Sequence, residues 1–231
     1  MEPRRLSVVI PTLNAEHALA KSLAALDSAR ASGFAGEVVV VDGGSVDGTL
    51  NAARRASCRI VEAPTGRGAQ LAAGADAATG EFLLFLHADT TLEAGWEEAA
   101  ARFMAPPGEH ARAGAFRFRF DEIGAGPALV AFGVRVRCAL FKLPFGDQGL
   151  LISRRFYDAL GGFRPMALME DVDLVRRIGR HRLHMLKPAA ITSAERYRRL
   201  GYARRVLRNW KCLALYYRGA SPEDIMKVYE R

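Results

Sequence analysis

The sequence predicts an α/β protein built on a mixed, mostly parallel central sheet. Short β-branched runs alternate with longer alanine-rich stretches of helical period through the first hundred residues, the pattern of βαβ units. Each run is nearly all apolar, as strands covered on both faces by helices are. Gly, Pro, Asp and Asn gather directly after the first, second and fourth runs, where strand carboxyl ends feed the loops. In open α/β sheets that edge is where ligands bind.

The strands are SVVIP (7–11), EVVVVDGG (37–44), CRIVEAP (58–64) and EFLLFLHAD (81–89). Between them, AEHALAKSLAALDSARA sets Leu19, Leu23 and Leu26 on one helical face, and GAQLAAGADAATG reads as a helix closed by Gly80. AFRFRFD (115–121) alternates Phe116, Phe118 and Phe120 with Arg117, Arg119 and Asp121, a period of two that predicts a half-exposed, antiparallel strand. PALVAFGVRVRCALFKLP reads as a helix or a lid, LPFGDQG as a turn-rich loop, and MEDVDLVRRIGRHR as a helix with Leu174, Val175 and Ile178 on one face. Residues 195–231 read as a helical tail.

A chain of 231 residues with 50% hydrophobic and 25% charged residues can bury a sizeable core, which excludes disorder of the whole chain. No apolar run approaches the roughly 18 to 20 residues of a spanning helix, and MEPRRLSVVIPTLN lacks a leader pattern, so the cytoplasm is the expected location. Cys58, Cys138 and Cys212 are odd in number and far apart, against both a disulfide framework and a zinc site. The net charge of +8 is local: residues 196–218 carry Arg196, Arg198, Arg199, Arg204, Arg205, Arg208, Lys211 and Arg218 with no acid.

Three segments carry candidate chemistry. In VDGGSVDGT, Asp42 ends a strand, Gly43 and Gly44 let the backbone turn closely, and SVDGT starts a helix whose free N–H groups can meet an anion or a polar base. The alternative is a capped turn without a ligand. In FLLFLHAD, His87 and Asp89 stand at i and i+2, so in an extended segment they point the same way and can converge on a cation that neutralises a diphosphate. The alternative makes Asp89 the cap of a helix begun by TLEAGW and His87 a buried imidazole. In MEDVDL, Glu170, Asp171 and Asp173 crowd three carboxylates into four positions, which suits a general base or, alternatively, a helix N-terminus. Asp147 and Gln148, in a Gly-flanked loop, suit hydrogen bonds to sugar or acceptor hydroxyls, or form a polar turn.

In this order the segments resemble the inverting family 2 glycosyltransferases of GT-A fold, the Rossmann-like nucleotide-diphospho-sugar transferases. SVVIPTLNAEHAL is similar to the family's Pro-x-x-Asn-x-Glu opening, VDGGSVDGT to its Asp-x-Gly-Ser-x-Asp-Gly-Thr, GRGAQLAAGADAATGEFLLFLHAD to its basic helix leading to the Asp-x-Asp strand, and MEDVDLVRR to its Glu-Asp motif. The resemblance implies that Pro11, Thr12, Asn14, Glu16, Asp42, Gly44, Arg67, Gln70, His87 and Ala88 bind the donor, with Asp42 facing the base. It implies that Asp89, with His87, holds Mg²⁺ or Mn²⁺, and that Asp171, beside Glu170, is the catalytic base of a single displacement onto an acceptor hydroxyl. His87 stands where many relatives have the first Asp, Gly43 replaces a second acid, and Ser193 or a reaching His184 replaces the family's later metal-binding His. No Gln-x-x-Arg-Trp motif is present, against a processive polymer synthase. PFGDQGLLISRRFYDALGGF before LMEDVDL narrows the resemblance to the stand-alone bacterial transferases called selenodomain-associated or arsenosugar-biosynthesis-type.

The expected division is a catalytic domain at 1–194, with a nucleotide-sugar-binding half at 1–110 and an acceptor-binding half at 111–194, and a basic amphipathic tail at 195–231. The tail places Leu200, Val206, Leu207, Trp210, Leu213 and Tyr217 near one face, with most cations elsewhere. Such a helix can pack on the domain with a solvated basic face, dock at an anionic membrane surface on its inner face, or bind nucleic acid; the last is not expected here. The expected partners are a UDP-sugar and a hydroxyl acceptor, either a small molecule or lipid-linked. The rival readings are a nucleotidyltransferase of similar fold and a catalytically silent nucleotide-sugar or membrane-binding module.

Overall fold

The first apolar run forms β1 (Leu6–Thr12), buried along its whole length. In chain order there follow α1 (Glu16–Ala24), α2 (Asp27–Ala31), β2 (Ala35–Asp42), α3 (Thr49–Arg55), β3 (Arg59–Glu62), α4 (Arg67–Ala77), β4 (Phe82–Phe85), β5 (Thr90–Leu92), α5 (Trp96–Met104), β6 (Ala113–Phe120), α6 (Ala125–Phe141), β7 (Leu150–Ser153), α7 (Arg154–Ala159), α8 (Glu170–Ile178), β8 (Leu183–Thr192), α9 (Glu195–Leu200), α10 (Tyr202–Tyr217) and α11 (Pro222–Glu230). The structure, a computed structural model, describes residues 6–105 and 111–230, so the expected boundary between the two halves falls at the edge of a segment outside the described residues.

One eight-stranded sheet has the order β3-β2-β1-β4-β7-β6-β8-β5. Strands β1 to β4 pair in parallel, β7 runs antiparallel to both β4 and β6, and β8 is parallel to β6. The period of two along β1 divides its side chains between two cores. Val8 and Ile10 join Leu19, Leu23 and Trp96 on one face, while Val9 joins Leu71, Leu174 and Ile178 on the other.

Four expectations change. Strand β3 is only partly buried, because it lies at the sheet edge with β2 as its one neighbour. The run 81–89 is not one strand: β4 stops at Phe85, and a turn closes with Thr90 N–H donating to His87 O at 3.1 Å. The next residues form the short strand β5 against β8, and the helix starts only at Trp96 after Gly95 at φ 85°. Asp89 therefore caps no helix. Strand β6 exposes only Arg117 and Arg119 of its eight residues, so it is less exposed than expected; it is antiparallel to β7 as expected, yet also parallel to β8, which returns after α8.

Among the described residues no helix is long and apolar enough to cross a membrane, and the three cysteines are free. The segment read as helix or lid is helix α6, of whose seventeen residues only Pro127, Val130 and Cys138 are buried.

Candidate active site

The loops leaving the carboxyl ends of β1, β3 and β4 build one lobe of a cleft, about 580 Å³ in volume. Pro11, Thr12, Asn14, Arg67, Gln70, His87 and Ala88 line it. Gln70 is buried and its amide donates to Thr12 O at 2.8 Å and Val41 O at 2.9 Å, which ties α4 to the strand ends. Asn14 accepts from Val46 N–H at 2.9 Å and joins the first loop to the second.

Asp42, Gly44 and Glu16 do not line the lobe. The Asp42 carboxylate closes its own turn, accepting from Gly44 N–H at 2.9 Å, Ser45 N–H at 2.8 Å and Ser45 Oγ at 2.5 Å. Burial opposes ionisation, but these donors outweigh it and lower the Asp42 pKa. Glu16 accepts from Gly48 N–H at 3.2 Å. Both carboxylates fix the backbone of the loop after β2, beside the lobe.

Asp89 sits in the turn between β4 and β5 and is held from three sides. Ser22 Oγ donates to Ala88 O at 2.7 Å and Thr90 O at 2.9 Å, Ser193 N–H donates to Asp89 O at 3.2 Å, and the Thr90 and Thr192 hydroxyls meet at 2.9 Å. Asp89 and His87 face the cleft together, although the segment is a turn instead of an extended strand. Burial and the nearby Arg67 push the His87 imidazole down to about 4, against the pull of Asp89 and Asp171. A neutral imidazole keeps a nitrogen lone pair for a metal. Among the described residues no three His, Cys, Asp or Glu side chains form a ready cage. Mg²⁺-like ions are commonly held by one or two carboxylates plus substrate phosphates, so this donor set fits a metal that arrives with a diphosphate.

A smaller acidic lobe, about 100 Å³, adjoins the first and shares Arg67, His87, Asp89, Ser193, Arg196 and Tyr229 with it. Asp171 lies here at the start of α8, its Oδ2 accepting from Gly146 N–H and its Oδ1 from Val172 N–H, each at 2.7 Å. Asp147 lines the same lobe with a buried Oδ1 that has no hydrogen-bond partner. Burial, partly offset by Arg137, and the carboxylates of Asp171 and Asp89 push Asp147 up to about 6. Glu170 is 1% exposed, lies 3.6 Å from Arg67 Nε, and accepts no hydrogen bond at either oxygen. Its burial outweighs Arg67 and pushes it up to about 7. Asp173 is taken by Arg164 at 3.1 Å and Arg177 at 2.6 Å.

Gln148, expected at the acceptor, is buried outside the lobe. Its Nε2 donates to Phe116 O at 3.0 Å, and its Oε1 accepts from Arg137 and from Phe145 N–H. It supports the Gly146–Asp147 loop from beneath. His184 does not reach the site: it is exposed near the opposite end of β8, its ring 6.2 Å from that of Phe103, whereas Ser193 lines the cleft.

The tail supplies residues that sequence reasoning missed. Arg196 and Arg199 of α9 and Met226 and Tyr229 of α11 line the large lobe, and Arg205 of α10 lines the small one. Arg205 donates to the Tyr229 hydroxyl, and its guanidinium lies 4.3 Å from the ring centre. Burial raises the Tyr229 hydroxyl, but Arg67, Arg205 and Arg196 together outweigh it and lower its pKa. The acid-free run 196–218 was the available signal. Part of the charge read as a solvated face instead lines the cleft.

Residues 7–168 match the profile of the family described as Glycosyl transferase family 2. Glucosyl-3-phosphoglycerate synthase from Mycobacterium tuberculosis, in complex with Mn²⁺, UDP and glucosyl-3-phosphoglycerate, superposes with a TM-score of 0.59 at 23% identity, over 94% of this chain and 81% of that one. The same enzyme with Mn²⁺, UDP-glucose and phosphoglyceric acid gives a TM-score of 0.60 at 21% identity, over 94% and 80%. TarS of S. aureus, residues 1–349, gives 0.62 at 18% identity, over 82% of this chain and 60% of that one. No curated protein matches significantly. At these identities the structural likeness is one of fold.

Proposed function

The chain belongs to glycosyl transferase family 2 and is a glycosyltransferase of GT-A fold, and on that premise we propose that it moves a sugar from a nucleoside diphosphate to an acceptor hydroxyl in one inverting displacement. The carrying observation is the two-lobed cleft, in which a nucleotide-sized lobe and a carboxylate lobe share Arg67, His87 and Asp89. UDP is the proposed nucleotide, supported by the resemblance and by the UDP and UDP-glucose complexes of the mycobacterial synthase. The motif Gly146–Gly149 followed by MEDVDL supports a place nearest the selenodomain-associated or arsenosugar-biosynthesis-type transferases. A nucleotide-sugar donor also favours the cytoplasm.

In this reading Pro11, Thr12, Asn14, Gln70 and Ala88 hold the nucleoside, while Arg67, Arg196 and Arg199 face the diphosphate. Asp89 and His87 would hold Mg²⁺ or Mn²⁺, which when bound neutralises charge growing on the leaving diphosphate. Asp171 takes the proton of the acceptor hydroxyl as its oxygen bonds to the anomeric carbon and the bond to the diphosphate breaks. The two backbone N–H donors hold the Asp171 carboxylate in place for that transfer. Asp147, with its unpaired oxygen, positions the acceptor. Glu170 is proposed to set Arg67 and not to exchange protons with substrate.

The test is release of nucleoside diphosphate from UDP-, GDP- and dTDP-sugars with and without Mn²⁺. Metal-stimulated release of UDP is expected. If no donor releases diphosphate and none raises the melting temperature, the reading is wrong, since a bound ligand must stabilise the fold. Consumption of added pyrophosphate with a UDP-sugar, giving UTP and the sugar 1-phosphate, would instead indicate nucleotidyl transfer.

A further inference from the structure

Helices α6 and α10 enclose a second cavity, about 520 Å³, that the chemistry above does not use. Leu129, Val130 and Val134 form one wall and Val206, Leu207 and Trp210 the other. It adjoins the acidic lobe, because Phe145, Tyr197 and Asn209 line both. The few polar groups are taken. Arg137 donates to Leu143 O and Gln148 Oε1 and stacks 3.4 Å from the centre of the Phe145 ring, and Asn209 donates to the Tyr197 hydroxyl at 3.4 Å.

The surroundings of this groove are apolar on surfaces that face solvent. Leu129 is 72% exposed, Phe132 56%, Leu140 57%, Leu207 69% and Trp210 52%. A helix apolar on its outer as well as its inner side implies a further partner. An extended peptide in the groove would leave its backbone N–H and C=O groups unpaired, whereas a hydrocarbon chain has none to satisfy.

We propose that the groove holds the apolar chain of an amphiphilic acceptor whose hydroxyl-bearing head lies at Asp171 and Asp147. This rests on the transferase reading and names its acceptor class: the head oxygen gains the sugar, its proton passes to Asp171, and the diphosphate leaves. A groove of finite length selects the chain. Continuity with the acidic lobe places the head.

The experiment titrates octyl, decyl and dodecyl maltoside, each below its micellar concentration, against maltose and against anionic phosphatidylglycerol vesicles. Trp210 emission reports occupancy, since the other tryptophan, Trp96, is 3% exposed in the core, and Trp210→Phe identifies the signal. Saturable binding is expected to tighten up to about four-fold per buried methylene and then level off when the groove is full. Maltose alone is expected to leave the emission unchanged. A Cβ on Gly133 meets nothing within 4 Å, so Gly133→Phe should fill the groove, weaken binding at least ten-fold and keep the melting temperature. If that variant melts early, Leu207→Glu at an exposed position serves the same comparison.

Affinity that climbs with chain length without a plateau, or an equal response to vesicles that survives Gly133→Phe, would overturn the proposal in favour of a membrane-adsorbing face. Unchanged binding by both variants, or none below the micellar concentration, would also overturn it. Donor hydrolysis by the unaltered protein is measured in parallel. Hydrolysis without chain binding sinks only the groove, and chain binding with neither hydrolysis nor a donor-induced rise in melting temperature sinks the transferase reading on which the acceptor role rests.

Discussion

Gly146 lies between the imidazole of His87 and the carboxylate of Asp171: its N–H donates to Asp171 Oδ2 at 2.7 Å, and a Cβ built on it would stand 2.5 Å from His87 Nε2. A loop thus holds the proposed base against a proposed metal ligand, with no room for a methyl group.

Gly146→Ala should therefore displace either the ring or the loop. A shift of about 1 Å in such a constellation costs roughly 10²-fold in rate. Donor-hydrolysis kcat is expected to fall by that order while circular dichroism stays unchanged. Wild-type turnover in the variant would show that the close approach has no catalytic consequence.

Asp171→Asn keeps the side-chain size and removes the proton acceptor. Transfer is expected to fall about 10²- to 10⁴-fold, while a nucleotide-sugar still raises the melting temperature. Transfer at the wild-type rate would refute the assignment of the base.

Asp89→Ala should abolish stimulation by Mn²⁺, because it removes the carboxylate of a turn whose backbone Ser22 and β8 hold in place. His87→Ala should retain metal-dependent turnover with a weaker apparent metal affinity. The reverse pattern, read from activity against Mn²⁺ concentration, would exchange their roles.

Arg196→Ala removes a cation that lies 3.9 Å from Asp89 and lines both lobes. The donor KM is expected to rise about ten-fold, a loss of roughly 1.4 kcal/mol, with kcat little changed. An unaltered KM would place the diphosphate away from α9.

Glu170 is the source of a pH-dependent stability. Its pKa rises from 4.5 unfolded to about 7 folded, so its contribution is complete below pH 4.5 and is lost as pH rises through 7. Glu170→Gln, an isostere of the protonated carboxyl, should change the melting temperature least near pH 5, where the wild-type group is neutral. It should also flatten the decline between pH 5 and pH 8, by roughly 5 °C. An equally steep decline in the variant would assign the titration elsewhere, with Asp147, pushed up to about 6, as the next candidate.

The sequence by itself determined the parallel half of the sheet and the residues delivered to its ligand edge. Pro11, Thr12, Asn14, Arg67, Gln70, His87, Ala88, Asp89 and Asp171 all line the cleft, because their placement follows from strand ends and helix starts, which are local properties of the chain. The tertiary structure alone decided which polar groups are spent on the fold. Glu16 is spent on Gly48, 32 residues away, Gln148 on Phe116, also 32 away, and Glu170 on Arg67 of the neighbouring helix α4. It also decided that the tail closes the cleft with Arg196, Arg205 and Tyr229, and that a three-residue strand follows Asp89. Periodicity shows which face a residue occupies. A hydrogen bond or ion pair between distant residues exists only once folding brings them together, and burial then fixes whether a carboxylate meets a ligand or a backbone amide.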